Sequence, residues 1–249
     1  MVLIPERGDP TLLAIDRILE ETTNNQDKRT YIGASSIGDE CSRKLWIRYH
    51  TDTREVFSAD TIRLFNDGHR TEDVMAAHLR MVPGVQLWTH KEDGEQYGFV
   101  DGPIAGHYDG VILGILQAPT NPHIWEHKAT NEKSFNEFKK LAIENEKTAL
   151  QKWNTTYYAQ AVINMHKEGL DRHYLTVSTP GMRDYWSCRT EANPVFAQAL
   201  LEKGRRIAAM KEPPERIGGP DWYKCKWCAF YGICHGSETY NVVKVDKIA

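Results

Sequence analysis

The sequence of 249 residues lacks any apolar run that approaches the length of a membrane span. It also lacks internal repeats and low-complexity tracts. The first residues, Met1 to Pro5, do not follow the pattern of a secretory signal peptide. These absences lead us to expect a cytoplasmic protein without a membrane partner.

The sequence also has no large excess of positive or negative charge. The 31 Lys and Arg residues and 34 Asp and Glu residues give a formal net charge of −3 at pH 7. The net charge alone therefore does not indicate nucleic-acid binding, and any nucleic-acid-binding surface must be a local basic patch. The length suffices for one sizeable α/β domain.

Cysteine is scarce, with five residues in the chain. In a cytoplasmic protein such cysteines indicate metal binding or reactivity rather than a disulfide framework. Cys225, Cys228 and Cys234 lie close together in sequence, while Cys41 stands far upstream. Four thiolates suit a zinc ion as well as an iron–sulfur cluster, so the spacing leaves both open. Cys188 lies in a strand-like run and is most simply a buried apolar side chain.

Capping and turn residues divide the chain into predicted elements. Asp9-Pro10 starts a helix that runs to about Glu21, and Ser58 caps a longer helix that runs to about Met81. Glycine-broken strands from Val85 to Ile115 are typical of a meander. The remaining expected elements are helices over residues 42–50, 131–152, 153–167 and 194–210, a strand containing Trp125 to Lys128, and paired strands over 173–179 and 184–189.

The helix after Ser58 carries two polar residues inside an apolar stripe. The positions that follow helical spacing are Ile62, Phe65, His69, Glu72, Ala76 and Leu79. Burying His69 and Glu72 in such a stripe is unfavourable unless they meet a metal ion or hydrogen-bonding partners.

Two acids and a lysine form the most informative pattern. Asp109 ends Gly106-His107-Tyr108-Asp109, and Glu126 and Lys128 are two residues apart in the predicted strand. Side chains at positions i and i+2 of a strand point to the same face. Carboxylates bind Mg²⁺ or Mn²⁺, which lower the pKa of a bound water, and a lysine can orient that water or stabilise a phosphate. The pattern therefore predicts phosphodiester hydrolysis.

The order of these motifs resembles the PD-(D/E)XK nuclease superfamily. A helix with a buried acid precedes a strand with Gly-x-x-Asp, a strand with Glu-x-Lys, and a helix that contains Tyr157-Tyr158-Ala159-Gln160. The resemblance covers residues 36–235 and is nearest to the exonuclease branch, with RecB and AddB nuclease domains, phage lambda-type exonucleases and CRISPR-adaptation nucleases. It implies an α/β fold with a restriction-endonuclease-like core, in which helices flank a central mixed sheet.

The resemblance also implies roles for individual residues. Asp109 and Glu126 would bind the metal ion, with the backbone carbonyl of His127 as a further ligand. Lys128 would act on the attacking water, and Gln160 would contact the phosphate or the lysine, with Tyr157 nearby. Further metal ligands implied on the preceding helix are Glu72 and His69. Relatives that carry Gln-x-x-x-Tyr have a tyrosine where this chain has Asn164.

One upstream cysteine followed by Cys-x-x-Cys-x5-Cys resembles the layout of iron–sulfur nucleases. It implies a 4Fe–4S cluster on Cys41, Cys225, Cys228 and Cys234, which would join the N- and C-terminal segments. Zinc is the alternative. We therefore expect a single nuclease domain over residues 1–249: an N-terminal helical part (1–57), a catalytic core (58–192) and a C-terminal helix with the cysteines (193–249).

The resulting prediction is a metal-dependent exonuclease that acts on single-stranded DNA or duplex ends. The alternatives are a structure-selective endonuclease with the same site and a non-catalytic DNA-binding or scaffold protein. Lysines expected to line a DNA groove are Lys133, Lys139, Lys140 and Lys147, unless they are merely a solvated face. Trp153, Tyr157 and Tyr158 could stack on bases or belong to the core. The compact size, without a helicase segment, suggests a stand-alone nuclease of a phage in the host cytoplasm, or of a CRISPR-like or recombination system with a protein partner of that type.

Overall fold

The computed structural model of the protein describes residues 8–242. Its helices are α1 (Pro10–Asn24), α2 (Ala34–Ile37), α3 (Ser42–His50), α4 (Ala59–Arg80), α5 (Glu132–Trp153), α6 (Thr155–Glu168), α7 (Pro194–Ala209), α8 (Tyr223–Lys226) and α9 (Tyr231–His235). Its strands are β1 (Ile32–Gly33), β2 (Gln86–Trp88), β3 (Gly98–Asp101), β4 (Ile104–His107), β5 (Gly110–Leu113), β6 (His123–Ala129), β7 (Arg172–Ser178) and β8 (Tyr185–Glu191). No helix in this part of the chain is long and apolar enough to cross a membrane.

The strands form two mixed sheets, whereas the sequence predicts one central sheet. The larger sheet has the order β2-β5-β6-β7-β8, with β6 and β7 parallel and the other neighbours antiparallel. The smaller sheet has the order β1-β4-β3. The predicted meander is therefore divided, because β3 and β4 pair with each other while β2 and β5 join the larger sheet.

Local signals place most helix ends correctly. The Asp9 side chain accepts a hydrogen bond from the Thr11 N–H at 2.8 Å, and Ser58 accepts one from the Thr61 N–H at 3.4 Å. Gly169 ends α6 in the left-handed conformation, with a φ of 67°, which glycine adopts at little cost. These predicted caps are confirmed. The boundary between α5 and α6 falls at Asn154, whose side chain caps α6.

Apolar side chains cover both faces of the larger sheet. Trp125 of β6 packs in a cluster with Met75 and Ala76 of α4. The other face of β6, at Ile124, belongs to the main core with α5, α6 and α7. The prediction that helices flank a mixed sheet is confirmed. Cys188 is buried in the main core, as its strand position predicts.

Candidate active site

Glu126 and Lys128 of β6 point to the same face of the larger sheet and form an ion pair. The Lys128 Nζ donates to Glu126 Oε2 at 2.7 Å. Glu126 is only 2% exposed, whereas the Lys128 side chain is 21% exposed, so the pair reaches from the protein interior towards solvent. The predicted convergence of these two residues is therefore present.

Helix α6 supplies two more donors to the same carboxylate. Gln160 Nε2 donates to Glu126 Oε1 at 2.9 Å, and Asn164 Nδ2 donates to the same oxygen at 3.2 Å. The two amides are four residues apart, which places them on one side of the helix. Asn164 is fully buried, and its Oδ1 has no hydrogen-bond partner. In the sequence Asn164 stands out only as a departure from the Gln-x-x-x-Tyr motif, so its contact with Glu126 is not predicted. Its four-residue spacing from Gln160 is the signal that places both amides on one side of the helix.

Asp109 lies beside Glu126, directly before the neighbouring strand β5. It immediately precedes Gly110, which is directly opposite Trp125 in the antiparallel pairing of β5 with β6. Its Oδ2 accepts a hydrogen bond from the backbone N–H of His127 at 2.7 Å. The Asp109 carboxylate is thereby fixed to the same strand that carries the ion pair.

The glycine of the Gly-x-x-Asp motif has a packing role. A Cβ on Gly106 would lie 2.6 Å from the Ala34 Cβ and 2.8 Å from a ring carbon of Phe99. It would also lie 3.3 Å from Asn164 Oδ1. The absence of a side chain at Gly106 therefore lets α2 and α6 approach the strand that leads to Asp109.

Glu72 of α4 is the third acid of the site, whereas His69 is exposed. Burial raises the pKa of Glu72 to about 7, and the charges of Asp109 and Glu126 raise it while Lys128 opposes them. The predicted helix face is partly wrong, because Phe65 also lies on the exposed side. The buried residues of α4 are Ala59, Ile62, Thr71, Met75 and Ala76.

The electrostatics of the ion pair reflect its burial. Burial raises the pKa of Glu126 to about 7; Lys128 counteracts this increase, and Asp109 adds to it. Burial alone would lower the pKa of Lys128, but the carboxylates of Glu126 and Asp109 outweigh it and raise the pKa above its ordinary value. Lys128 therefore stays charged, while two of the three carboxyl groups titrate near neutral pH.

The His127 imidazole lies on the opposite face of β6. Its Nδ1 is 3.0 Å from Thr176 Oγ1, and its Nε2 is 3.2 Å from Ser178 Oγ. Burial lowers the pKa of His127 to about 4, and Lys128 lowers it further. The side chain is thus a neutral, hydrogen-bonded part of the sheet. The metal-binding role of its backbone carbonyl stays a prediction.

Of the three aromatic residues shortly before Gln160, two belong to the core and one lies beside the candidate active site. Trp153 donates to the Ser134 carbonyl at 3.1 Å and packs on the Phe138 ring, and Tyr158 is buried. These positions make Trp153 and Tyr158 core residues rather than base-stacking ones. The ring of Tyr157 lies beside the site, 5.7 Å from the Lys128 ammonium.

The α5 lysines do not form one continuous row. Lys147 lies beyond a kink at Asn145, where φ is −163°, and pairs with Glu191 at 2.6 Å. Lys133 and Lys140 are exposed, and Lys139 lies over the Trp186 ring. The contribution of Lys133, Lys139 and Lys140 to DNA binding stays a prediction.

The three acids have the chemistry of a divalent-cation site. Carboxylate oxygens are the hard ligands that Mg²⁺ and Mn²⁺ prefer, and the repulsion among Glu72, Asp109 and Glu126 is what a cation would relieve. Within residues 8–242, however, no group of three or more His, Cys, Asp or Glu side chains is positioned so that it could hold a metal ion. Glu126 uses both of its oxygens for internal hydrogen bonds instead. The donor set therefore fits, and binding would require the three acids to move closer together.

Four of the five cysteines line one cavity of about 530 Å³. These are Cys41, Cys225, Cys228 and Cys234, none of which forms a disulfide. Burial raises the pKa of the Cys41 thiol, and the charges of Asp39, Cys228 and Cys234 raise it further, while a hydrogen bond from the Lys44 N–H lowers it. The fold thus brings the upstream cysteine to the C-terminal cluster, where Lys224 also pairs with Glu40.

Comparison with known proteins gives a fold likeness. No protein-family model and no curated protein matches the sequence. The crystal structure of an alkaline exonuclease from Laribacter hongkongensis is similar, with a TM-score of 0.50 and 14% identity over 78% of this chain and 91% of that one. The same exonuclease in complex with dAMP gives a TM-score of 0.49 at 14% identity, over 72% and 87% of the two chains. The crystal structure of SSO0001 gives 0.45 at 16% identity, over 92% and 97%. The likeness to the Laribacter hongkongensis structure with a TM-score of 0.50 is one of fold.

Proposed function

We propose that the chain is a metal-dependent deoxyribonuclease that removes nucleotides from single-stranded DNA or duplex ends. The observation that carries this proposal is the Glu126 carboxylate, which is buried and held by Lys128, Gln160 and Asn164 beside two further acids. Such a group is costly to bury without a function. The likeness to the fold of an alkaline exonuclease supports the same reaction class.

Glu72, Asp109 and Glu126 would hold Mg²⁺ or Mn²⁺. When bound, such an ion supplies a water of lowered pKa and neutralises charge on the phosphate. The two carboxyl groups with pKa values of about 7, Glu72 and Glu126, must be ionised to act as ligands. The ability of this site to hold a cation should therefore increase as the pH rises.

The remaining residues of the site orient groups and stabilise charge. The Lys128 ammonium stays charged and lies where it can donate to a phosphate oxygen or orient the attacking water. Gln160 and Asn164 restrict Glu126 to one orientation, as hydrogen-bonding partners of a ligand do. Tyr157, beside the Lys128 ammonium, limits the directions in which that side chain can move.

The four clustered cysteines are proposed to hold a 4Fe–4S cluster with a structural role. Zinc accepts the same four thiolates, but a 4Fe–4S cluster occupies more space than a single ion. A cavity of about 530 Å³ has room for a larger group. Iron and sulfide analysis of protein purified without oxygen tests this proposal, and stoichiometric zinc without iron would contradict it.

Degradation of end-labelled linear single-stranded DNA with Mn²⁺ tests the function. We expect cleavage by the wild type and a loss of about 100-fold or more in Lys128→Ala, because a charge-stabilising donor is removed. Lys211→Ala is the matched control, since Lys211 is an exposed lysine outside both the candidate active site and the predicted groove lysines. Equal cleavage by the wild type and Lys128→Ala would contradict the proposal. Resistance of circular single-stranded DNA would distinguish an exonuclease from an endonuclease.

A further inference from the structure

Trp186 of β8 lies on the same face of the larger sheet as Lys128. Lys128 is directly opposite Val177, and Val177 is directly opposite Trp186, so the three residues form one row across β6, β7 and β8. Residues directly opposite one another in a sheet point to the same face. The row spans two strand spacings, about 10 Å.

The sheet face opens to solvent at this row. In the next row, which contains Glu126, Leu175 and Cys188, every residue is buried. Trp186 is 37% exposed, and β8 is the edge strand of the sheet. Val177, between Trp186 and Lys128, is covered and belongs to the main core. Trp186 therefore lies where the sheet face that carries the candidate active site meets solvent.

Lys139 lies over the Trp186 ring and forms an exposed ion pair with Asp184. The Lys139 Nζ is 4.9 Å from the centroid of the Trp186 ring and 5.7 Å from that of Phe135. It also pairs with Asp184 at 3.3 Å, and both side chains of the pair are substantially exposed. Exposed pairs of this kind contribute little to stability. A phosphate can therefore take the place of Asp184.

A solvent-facing aromatic ring beside an ammonium group is the combination that binds single-stranded nucleic acid. The ring stacks on a base, and the ammonium group neutralises a phosphate. Inside a duplex both faces of each base are already stacked on its neighbours, whereas the bases of a single strand are open to a ring such as that of Trp186. We infer that Trp186 and Lys139 form a stacking subsite for an unpaired nucleotide of the strand that occupies the active site. The inference rests on the proposed function and names its substrate class as single-stranded nucleic acid.

Binding in EDTA tests the subsite apart from cleavage. Affinity for a fluorescent short oligothymidylate would be measured for the wild type, Trp186→Leu, Trp186→Phe and Tyr185→Leu. Tyr185 is the matched control because it neighbours Trp186, is 57% exposed and points to the opposite face. We expect Kd to rise about 10-fold or more in Trp186→Leu, by less than about 3-fold in Trp186→Phe and not at all in Tyr185→Leu.

Two results would overturn the subsite: unchanged affinity in Trp186→Leu, or an equal loss in Tyr185→Leu. Lys139→Gln gives a second measurement that leaves β8 intact. We expect the slope of log Kd against log salt concentration to fall by about 0.7 in this variant, the value for one phosphate contact on a single strand. An unchanged slope would contradict the phosphate contact. If these variants lose affinity while Lys128→Ala cleaves normally, the subsite stands and the proposed catalytic assignment fails.

Discussion

Asn164→Leu removes both polar groups of one buried amide, and their effects on stability oppose each other. The Asn164 Nδ2 donates to Glu126 Oε1 at 3.2 Å, whereas its Oδ1 has no partner. Leucine has a similar size and removes both groups. Losing a hydrogen bond to a carboxylate costs about 1.5–3 kcal/mol, while removing an unpartnered buried carbonyl stabilises the protein by about 1–3 kcal/mol. We therefore expect the free energy of unfolding to change by less than about 2 kcal/mol in either direction.

In Asn164→Asp the new side chain has nearly the same shape as asparagine, but it replaces a hydrogen-bond donor with a second negative charge. It places a second carboxylate against Glu126 Oε1, where Asn164 now donates. Two like charges about 4 Å apart repel by about 4 kcal/mol at an effective dielectric constant of 20. We expect a loss of several kcal/mol at about pH 8 and a much smaller loss at about pH 5, where the pair shares a proton.

Urea unfolding without divalent cations, at both pH values, measures these free energies. Cleavage by Asn164→Leu should fall about 10- to 100-fold, because Glu126 Oε1 keeps only the Gln160 donor. A destabilisation of Asn164→Leu above about 4 kcal/mol would refute the reasoning, since it would mean that Oδ1 has a hydrogen-bonding partner. Cleavage equal to that of the wild type would show that Gln160 alone orients the carboxylate.

Two further predictions concern the acids. Folding raises the pKa values of Glu72 and Glu126 from 4.5 to about 7, so the stability contributed by their protonated forms is full below 4.5 and is lost as the pH rises through about 7. Without divalent cations the melting temperature should therefore fall as the pH rises from 4.5 to about 7. With Mn²⁺ the rate of cleavage should rise over the same pH range. A cleavage rate that does not change with pH would count against ionised carboxylates as ligands. Glu72→Gln should raise the Mn²⁺ concentration needed for half-maximal cleavage about 10-fold or more, whereas exposed His69→Gln should not change it, as a titration of activity would show.

The local parts of the fold could be predicted from the sequence because they depend on neighbouring residues. Asp9 and Ser58 cap their helices with their own side chains, and Gly169 supplies the left-handed end of α6. The same holds for the facing of Glu126 and Lys128, since alternation along a strand fixes it. These predictions needed no knowledge of the tertiary structure.

Strand pairing and helix rotation could not be predicted in this way. The two residues of β1 are too few to show a period, and they pair with β4 far along the chain. On α4, His69 and Glu72 both fit an apolar stripe, and packing of Met75 and Ala76 against Trp125 determines which one is buried. A small rotation of the helix decides whether His69 or Glu72 faces the interior, and only tertiary contacts determine that rotation.

The cysteine cavity and the candidate active site share one helix. Thr155 and Thr156, in the first turn of α6, line the cysteine cavity. Gln160 and Asn164, further along the same helix, donate to Glu126. Because an α-helix is stiff over this length, a displacement of its first turn also displaces both amide donors.

The N-terminal segment fixes that first turn from the outside. A Cβ on Gly38 would lie 2.6 Å from the Ala159 Cβ and 2.9 Å from the Thr156 Cα, so the segment that leads to Cys41 packs directly on α6. A group that holds Cys41 against the C-terminal cysteines would therefore also hold this contact. The orientation of Glu126 would then depend on the segment around Cys41 and on the C-terminal cysteines, although neither contributes an acid to the site. This dependence explains physically how a structural group at the cysteines would influence cleavage without taking part in it.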